Sequence, residues 1–169
     1  MKKVILIRYG EIFLKGANRG FFENTLINNI NKVLEGKKYV LTKYSARYVI
    51  SDFDESETEW FIDKIACIFG IHSFSLAYEV NTDIDEIAQA CKALTNKCGT
   101  FKVNTKRADK RFCMNSYEIS SEIGYRLLTE FKDLTVDLHN PDQELYVDVR
   151  ENGKTLVFSS IIKAVNGMP

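Results

Sequence analysis

The chain has 169 residues, and its 23 Lys and Arg side chains balance 23 Asp and Glu, so the net charge is zero when both histidines are neutral. Apolar residues make up 45% of the sequence, with only two prolines and nine glycines, which excludes disordered, collagen-like and low-complexity classes. The length allows one ordinary domain or two small ones, each with a buried core.

The chain begins with a pattern that predicts strand, helix and hairpin. Residues 4–7 are an apolar run typical of a buried strand. A helix follows, which ends at Gly36 and whose buried face would hold Phe22, Leu26, Ile30 and Val33. Residues 39–41 and 48–50 are β-prone runs on either side of a polar turn near Ser45, as in a hairpin.

A second helix and a fourth strand complete this first half. Ser56-x-x-Glu59 has the pattern of a capping box, which would open a helix that ends at Gly70 and buries Phe61, Ile65, Ile68 and Phe69. Alternation of apolar residues predicts the next strand, over residues 74–80. The order βαββαβ is that of a ferredoxin-like unit, predicted here for residues 1–80.

Residues 81–169 predict a second α/β unit in the order α-β-α-β-β, which makes the whole chain an α+β protein. Asp83 precedes a helical pattern that buries Cys91, and residues 101–104 alternate as a strand with a basic polar side. Ser116 is positioned to cap the next helix. A strand over residues 145–149 is followed by the turn signal Asn152-Gly153, which predicts a two-residue hairpin turn and a return strand.

Several function classes find little support in the sequence. The apolar run at the N-terminus is too short for a signal peptide and nothing later approaches a membrane span, so a cytoplasmic protein without membrane contact is expected. Cys67 and Cys91 lie on predicted apolar helix faces, which favours buried reduced thiols over a metal or disulfide framework. His72 and His139 are isolated. We therefore assign no catalytic residue and no metal ligand.

The strongest functional signal is a basic segment. Residues 1–50 hold ten basic and three acidic side chains, residues 51–100 hold three and ten, and residues 101–111 hold five basic side chains and Asp109 alone. The zero net charge is therefore a cancellation. The five cations run from a predicted strand into the loop before the Ser116 helix, and they are Lys102, Lys106, Arg107, Lys110 and Arg111. Cations beside a helix N-terminus favour a phosphate chain as ligand, whereas solvated surface charge is the alternative.

A similar but weaker arrangement follows the first predicted strand. Arg8 leaves that strand, and Lys15 and Arg19 lie in the glycine-containing loop before the first helix. These three side chains are either a second phosphate-contacting surface or part of the packing between the two units. Both alternatives stay open at this stage.

Residues 7–19, Ile-Arg-Tyr-Gly-Glu-Ile-Phe-Leu-Lys-Gly-Ala-Asn-Arg, together with Phe22-Glu23, closely resemble the opening of the tRNA 4-thiouridine synthetases, the ThiI family. The second half is similar to a THUMP domain, an RNA-binding module, in several short patterns and in its closing hairpin. Those patterns are Lys106-Arg107, Lys110-x-Phe112, Ser116-x-Glu118-Ile119 and Gly124. The resemblance implies a ferredoxin-like domain over residues 1–80 and a THUMP domain over residues 81–169.

The resemblance also implies a function. In this family THUMP engages the acceptor stem and single-stranded 3′ end of tRNA, so that position 8 reaches a catalytic domain that makes 4-thiouridine. That ATP-pyrophosphatase domain, with its Ser-Gly-Gly-x-Asp-Ser loop, has no counterpart in these 169 residues, so no cofactor is expected here. ATP, a persulfide sulfur donor, a cysteine desulfurase partner, a homodimer and, in some relatives, thiamine biosynthesis are implied for the full-length tRNA sulfurtransferase.

Carried over to this sequence, the resemblance assigns the five cations of residues 102–111 to phosphate contacts. It implies that Asn115 and Ser116 either cap the helix or donate to the RNA backbone. Phe112 would either stack on an exposed base or pack against the protein. Two other functions remain open. One is a THUMP module of another tRNA-modifying enzyme, such as a methyltransferase or deaminase, and the other is a ferredoxin-like sensor or assembly domain for a small molecule.

Overall fold

The computed structural model describes residues 1–44 and 46–169, apart from the side chains of Glu11 and Phe13, so the turn predicted at Ser45 lies outside the described residues. The chain forms two compact units. The first unit comprises residues 3–76 and 161–169, and the second unit comprises residues 1–2 and 77–160.

The first unit contains the βαββαβ order that the sequence predicts. Its elements are β1 (Lys2–Tyr9), α1 (Arg19–Val33), β2 (Val40–Tyr44), β3 (Arg47–Ser51), α2 (Thr58–Ala66) and β4 (Ile71–Asn81), whose residues from Ala77 onward belong to the second unit. The strand order is β2-β3-β1-β4. β3 is antiparallel to both neighbours, with Ile50 opposite Ile5 of β1 and Leu41 of β2, so the ferredoxin-like prediction is confirmed.

The buried face of α1 differs by one residue from the predicted one. Leu26 and Ile30 are fully buried, as expected, and the next core residue along the chain is Leu34. Val33, which the pattern placed on this face, is exposed. Val33 and Leu34 are adjacent apolar residues at the end of the helix. Leu34 lies four residues after Ile30, on the same helix face, and therefore packs against the core.

The predicted capping box at the start of α2 is wrong. Asp54 accepts a hydrogen bond from the backbone N–H of Ser56 (3.0 Å) and caps a 3-10 turn at Glu55–Glu57, after which α2 begins at Thr58. The helix also ends earlier than predicted, at Ala66. Phe69 and Cys67 consequently lie outside its buried face and are exposed, whereas Ile68 turns into the core.

The second unit contains α3 (Ile84–Leu94), β5 (Cys98–Arg107), α4 (Ser116–Glu130), β6 (Asp133–Val136), β7 (Gln143–Val149) and β8 (Lys154–Phe158). The strand order is β4-β8-β7-β5-β6, with β5 parallel to both β6 and β7. The α-β-α-β-β order is confirmed with one addition, because β6 was not predicted. Only Leu134 of its four residues is buried, and the alternation of Leu134 and Val136 is too short to distinguish a strand from a loop.

The core of the second unit lies between its sheet and its two helices. α4 contributes Ile119, Ile123 and Leu127, all buried, and β5 contributes Phe101. Cys91 of α3 is fully buried, as predicted, and burial raises the pKa of its thiol to about 12. It is therefore an inert apolar packing residue.

The hairpin between β7 and β8 has a three-residue loop where the sequence predicts a two-residue turn. The N–H of Arg150 donates to the carbonyl of Lys154 (2.9 Å), which leaves residues 151–153 as the loop. Gly153 has φ of +76°. A left-handed residue at the end of a three-residue loop is a common hairpin geometry, and glycine adopts it without strain.

The last residues of the chain belong to the first unit, whereas the sequence analysis assigned residues 81–169 to the second domain. β9 (Ile162–Lys163) is antiparallel to the start of β4, with Lys163 opposite Ser73. The backbone of Asn166 adds bonds to Ile71 and Gly70. These hydrogen bonds explain why the segment folds with the first unit. Among the described helices, none has the length and apolar character needed to cross a bilayer.

Candidate nucleic-acid interface

The five predicted cations lie on β5 and on the loop at residues 108–115 that joins β5 to α4. Lys102, Lys106 and Arg107 belong to the strand, and Lys110 and Arg111 belong to the loop. The two types of side chain have different environments. The arginine side chains bind carbonyl and carboxylate groups of the loop, whereas no hydrogen bond of this kind involves one of these three lysine side chains among the described residues.

Arg107 and Arg111 hold this loop in place. Nη1 of Arg107 donates to the carbonyl oxygens of Met114 (3.0 Å) and Phe112 (3.3 Å). Arg111 binds both carboxylate oxygens of Asp109, at 2.9 and 3.0 Å, and donates to the carbonyl of Glu151 in the β7–β8 hairpin (3.0 Å). Hydrogen bonds from Arg111 hold the pKa of Asp109 below its usual range. The loop is therefore built around its two guanidinium groups.

The three lysines remain available to a ligand. Lys106 and Lys110 are exposed and Lys102 is half-buried. None of the three forms an ion pair, a side-chain hydrogen bond or a cation–π contact with any residue in the part of the chain that the structure describes. Mobile ammonium groups beside an ordered loop are typical of phosphate-contacting surfaces.

The N-terminus of α4 is capped by Asn115, so the prediction that Ser116 is the cap is wrong. Oδ1 of Asn115 accepts from the N–H of Glu118 (2.9 Å), and Oε1 of Glu118 accepts from the N–H of Asn115 (3.1 Å). Ser116 is the first residue of the helix. The reciprocal pair occupies the Asn115 side chain and brings a carboxylate to the helix end, so the lysines supply the attraction for an anion.

Phe112 and two tyrosines of α4 differ in their exposure to solvent. Phe112 is half-buried against the core of the second unit, so it packs. Tyr117 and Tyr125 of α4 are 81% and 68% exposed, and the sequence analysis did not identify them. Their signal was present, because both lie outside the buried stripe of α4 and large exposed aromatic residues often mark binding surfaces.

The candidate cations of the first unit are largely occupied. Nη1 and Nη2 of Arg8 donate to the hydroxyls of Ser73 (3.3 Å) and Ser75 (3.0 Å), both buried on β4. Nε of Arg19 donates to Oε1 of Glu23 (2.7 Å). Both guanidinium groups therefore bind side chains of their own unit, while Lys15 is exposed, with its ammonium 5.9 Å from the ring centroid of Phe22.

Glu23 is the centre of a buried polar cluster that the sequence analysis did not identify. Its side chain is only 5% exposed and binds Arg19, Lys43 and the hydroxyl of Tyr9 (2.8 Å). Burial raises the pKa of Glu23, but the hydrogen bonds from Lys43, Arg19 and Tyr9 outweigh it and lower the pKa to about 2. Burial likewise raises the pKa of Tyr9. Glu23 is therefore ionised whenever this unit is folded near neutral pH.

Comparisons with known proteins agree with this division. The family model described as the ThiI ferredoxin-like domain matches residues 4–75, and the model of the THUMP domain matches residues 81–158. A probable tRNA sulfurtransferase of Acetivibrio thermocellus is 44% identical, and the match covers 100% of this chain and 45% of the relative. One from Caldanaerobacter subterraneus is 40% identical, with 44% of its length covered. The chain thus spans about half the length of the curated relatives it matches.

Two solved structures are similar over nearly the whole chain. A crystal structure of a 4-thiouridine synthetase in complex with RNA and bound ATP has a TM-score of 0.84 and 37% identity, and the match covers 100% of this chain and 44% of that one. A protein from Pyrococcus horikoshii has a TM-score of 0.82 and 29% identity, over 99% of this chain and 57% of that one. The resemblance seen in the sequence is confirmed: the chain belongs to the ThiI family and carries, in this order, the ferredoxin-like domain of that family and a THUMP domain.

Proposed function

We propose that this chain is the tRNA-binding portion of a tRNA sulfurtransferase, which captures the acceptor stem and 3′ end and positions the tRNA for 4-thiouridine formation at position 8. The observation that carries the proposal is a set of three lysines, Lys102, Lys106 and Lys110, on β5 and the loop after it in a THUMP domain, with no side-chain partner among the residues that the structure describes. The relative whose structure contains RNA supports it. The ThiI-specific first domain favours a sulfurtransferase over a THUMP-containing methyltransferase, a deaminase or a small-molecule sensor.

The sulfur-transfer chemistry belongs, in this proposal, to the part of the relatives that has no counterpart here. ATP, the persulfide sulfur donor and the cysteine desulfurase partner act there, and this chain contributes RNA binding in the cytoplasm. We also expect the full-length enzyme to form a homodimer. In the part of the chain that the structure describes, no group of three or more His, Cys, Asp or Glu side chains is placed to hold a metal ion.

The proposal is tested by fluorescence anisotropy with labelled tRNA at low salt. The double variant Lys106→Ala/Lys110→Ala removes two exposed cations at one end of β5, and we expect its affinity to fall at least tenfold. The matched control, Lys97→Ala/Lys132→Ala, removes the same charge from exposed lysines at the other end of that strand. Each phosphate contact adds a sequence-independent share of affinity. Equal losses of tRNA affinity in the two double variants, or no tRNA binding by the wild-type chain, would contradict the proposal.

A further inference from the structure

The hairpin between β7 and β8 carries one of the two Asn-Gly pairs in the sequence, Asn152-Gly153, and the other pair is Asn166-Gly167. The hairpin loop, Glu151 to Gly153, is exposed. An asparagine before glycine is especially prone to lose its side-chain ammonia, because a glycine lets its own backbone nitrogen approach the preceding side chain. The two pairs have the same chemistry, so their environments in the fold decide how fast each one reacts.

The fold leaves the first pair able to react. The last ladder bond of the hairpin, from the N–H of Arg150 to the carbonyl of Lys154 (2.9 Å), lies outside the pair. Oδ1 of Asn152 accepts a hydrogen bond from the N–H of Lys154 (3.1 Å). When the nitrogen of Gly153 attacks Cγ of Asn152, negative charge develops on this oxygen, and the N–H of Lys154 stabilises it. Because the loop is exposed, hydroxide can reach the proton that the Gly153 nitrogen must lose.

The second pair is held in place by its backbone. The N–H of Asn166 donates to the carbonyl of Ile71 (2.9 Å), and its carbonyl accepts from the N–H of Gly70 (3.2 Å). Ring closure requires the carbonyl of Asn166 to rotate, and the bond from Gly70 opposes that rotation. Oδ1 of Asn166 is buried and has no hydrogen-bond donor among the described residues, so nothing there stabilises the developing charge. Asn166 should therefore react slowly.

The hairpin loop is joined to the cation-rich loop at residues 108–115. Nη2 of Arg111 donates to the carbonyl of Glu151 (3.0 Å), the residue directly before Asn152. Loss of ammonia from Asn152 would place a carboxylate beside this contact, and the isoaspartyl product would also add a carbon atom to the backbone of the loop. The added charge repels phosphate, and the longer backbone disturbs the bond from Arg111, so both changes oppose RNA binding.

We propose that Asn152 is a site of spontaneous deamidation and that its deamidation weakens the RNA-binding surface. The nitrogen of Gly153 loses its proton and bonds to Cγ of Asn152, the side-chain nitrogen leaves as ammonia, and a cyclic imide forms. Water then opens the imide at either carbonyl and gives aspartate or isoaspartate. The net reaction consumes water, releases ammonia and needs no oxidant. The effect on RNA rests on the proposed function, whereas the reaction itself does not.

Peptide mapping by mass spectrometry after incubation at mildly alkaline pH tests the reaction. The Asn152 peptide should gain the mass difference between a hydroxyl and an amino group, at a rate that rises with pH, and an isoaspartate-specific carboxyl methyltransferase should label it. The Asn166 peptide should react at least about tenfold more slowly, because its backbone bonds must open first. In urea this difference should disappear. Equal rates in the folded chain, a difference that persists in urea, or an unreactive Asn152 would contradict the proposal.

Fluorescence anisotropy with labelled tRNA tests the effect on binding. Asn152→Asp carries the charge of one product and should bind tRNA several-fold more weakly than the wild type. Asn28→Asp is the matched control, since it adds the same charge to an exposed position of α1, and it should bind as the wild type does. Asn152→Gln, whose longer side chain closes the ring far more slowly, should keep its affinity through the incubation that weakens the wild type.

The outcomes separate this inference from the proposed function. If Asn152→Asp binds tRNA as tightly as the wild type, or Asn152→Gln loses affinity during the incubation as the wild type does, the link between deamidation and RNA binding is wrong. If the fresh wild-type chain binds no tRNA, the proposed function fails, and the peptide map still decides whether Asn152 reacts.

Discussion

Arginine and lysine have different roles within residues 102–111. A guanidinium group is a planar fork with several donors, so Arg107 reaches two carbonyl oxygens and Arg111 binds a carboxylate with two parallel bonds. An ammonium group is a mobile point charge suited to a phosphate whose position varies. The arginines consequently order the loop, and in the proposed function Lys102, Lys106 and Lys110 contact the RNA.

This difference predicts that two charge-conserving substitutions will have unequal effects on stability and on tRNA binding. Arg107→Lys keeps the charge but loses the fork, and the loss of a loop-ordering hydrogen bond should cost about 1 kcal/mol of stability and weaken tRNA binding several-fold. Lys106→Arg should leave both unchanged within twofold. Urea denaturation measures the stability of the two variants, and fluorescence anisotropy measures their affinity for tRNA. Equal binding by both would show that only the charge of Arg107 matters.

The Glu23 cluster predicts a pH-dependent contribution to the stability of the first unit. Because the pKa of Glu23 is lowered from 4.5 to about 2 on folding, its stabilisation is complete above about pH 5 and is lost as the pH falls through the range from 4.5 to 2. Glu23→Gln should therefore cost on the order of 3 kcal/mol at pH 7, and the difference from wild type should shrink toward pH 2.

Urea titrations followed by the fluorescence of Trp60, the single tryptophan and a residue of the first unit, would measure this loss. Glu35→Gln is the matched control, since Glu35 is exposed at the end of α1. A Glu23→Gln penalty that stays constant from pH 7 to pH 3 would contradict the ionic origin of the stabilisation.

At the level of elements, the capping box of α4 fixes where this helix begins. Asn115 bonds to the N–H of Glu118 and Glu118 bonds back, so Asn115→Ala should destabilise the second unit by about 1 kcal/mol. Ser116→Ala should have little effect, because Ser116 is already the first helical residue. Urea denaturation followed by circular dichroism distinguishes the two, and a larger cost for Ser116→Ala would assign the cap to serine.

The elements that could be predicted are those with a long, regular apolar pattern. All four helices and the main strands were predicted, because their buried faces repeat over several turns or residues. β6 was not, since a four-residue strand with Leu134 alone buried is specified by its pairing with β5. The start of α2 was misplaced because Asp54 caps a 3-10 turn at Glu55–Glu57, and α2 begins only after that turn.

The candidate site was predictable in location but not in detail. The cation-rich segment stands out in the sequence because Asp109 is its only acid. Which cations are engaged depends on contacts far along the chain, such as that of Arg111 with the carbonyl of Glu151, and the sequence does not reveal those contacts. The groove between α4 and the strands β5 and β6 was not predicted for the same reason, since its walls come from separate elements that only the folded chain brings together.

For the molecule as a whole, the zero net charge gives no information about binding to a polyanion. The chain carries 23 charges of each sign, yet Lys102, Lys106 and Lys110 all lie on β5 and the loop after it, in a segment whose only acidic residue is Asp109. At physiological salt the Debye length is about 8 Å, so distant acidic residues are screened from a phosphate at this surface. Local charge, and not the total, should therefore govern association with RNA.

This view predicts the salt dependence of tRNA binding. A plot of log affinity against log salt concentration should have a negative slope, and Lys106→Ala/Lys110→Ala should reduce its magnitude by about two, one for each lost phosphate contact. Lys97→Ala/Lys132→Ala changes the net charge equally but removes no predicted contact, so its slope should equal that of the wild type. If the two double variants lower the slope by the same amount, the total charge controls binding and the surface on β5 and its loop has no special role.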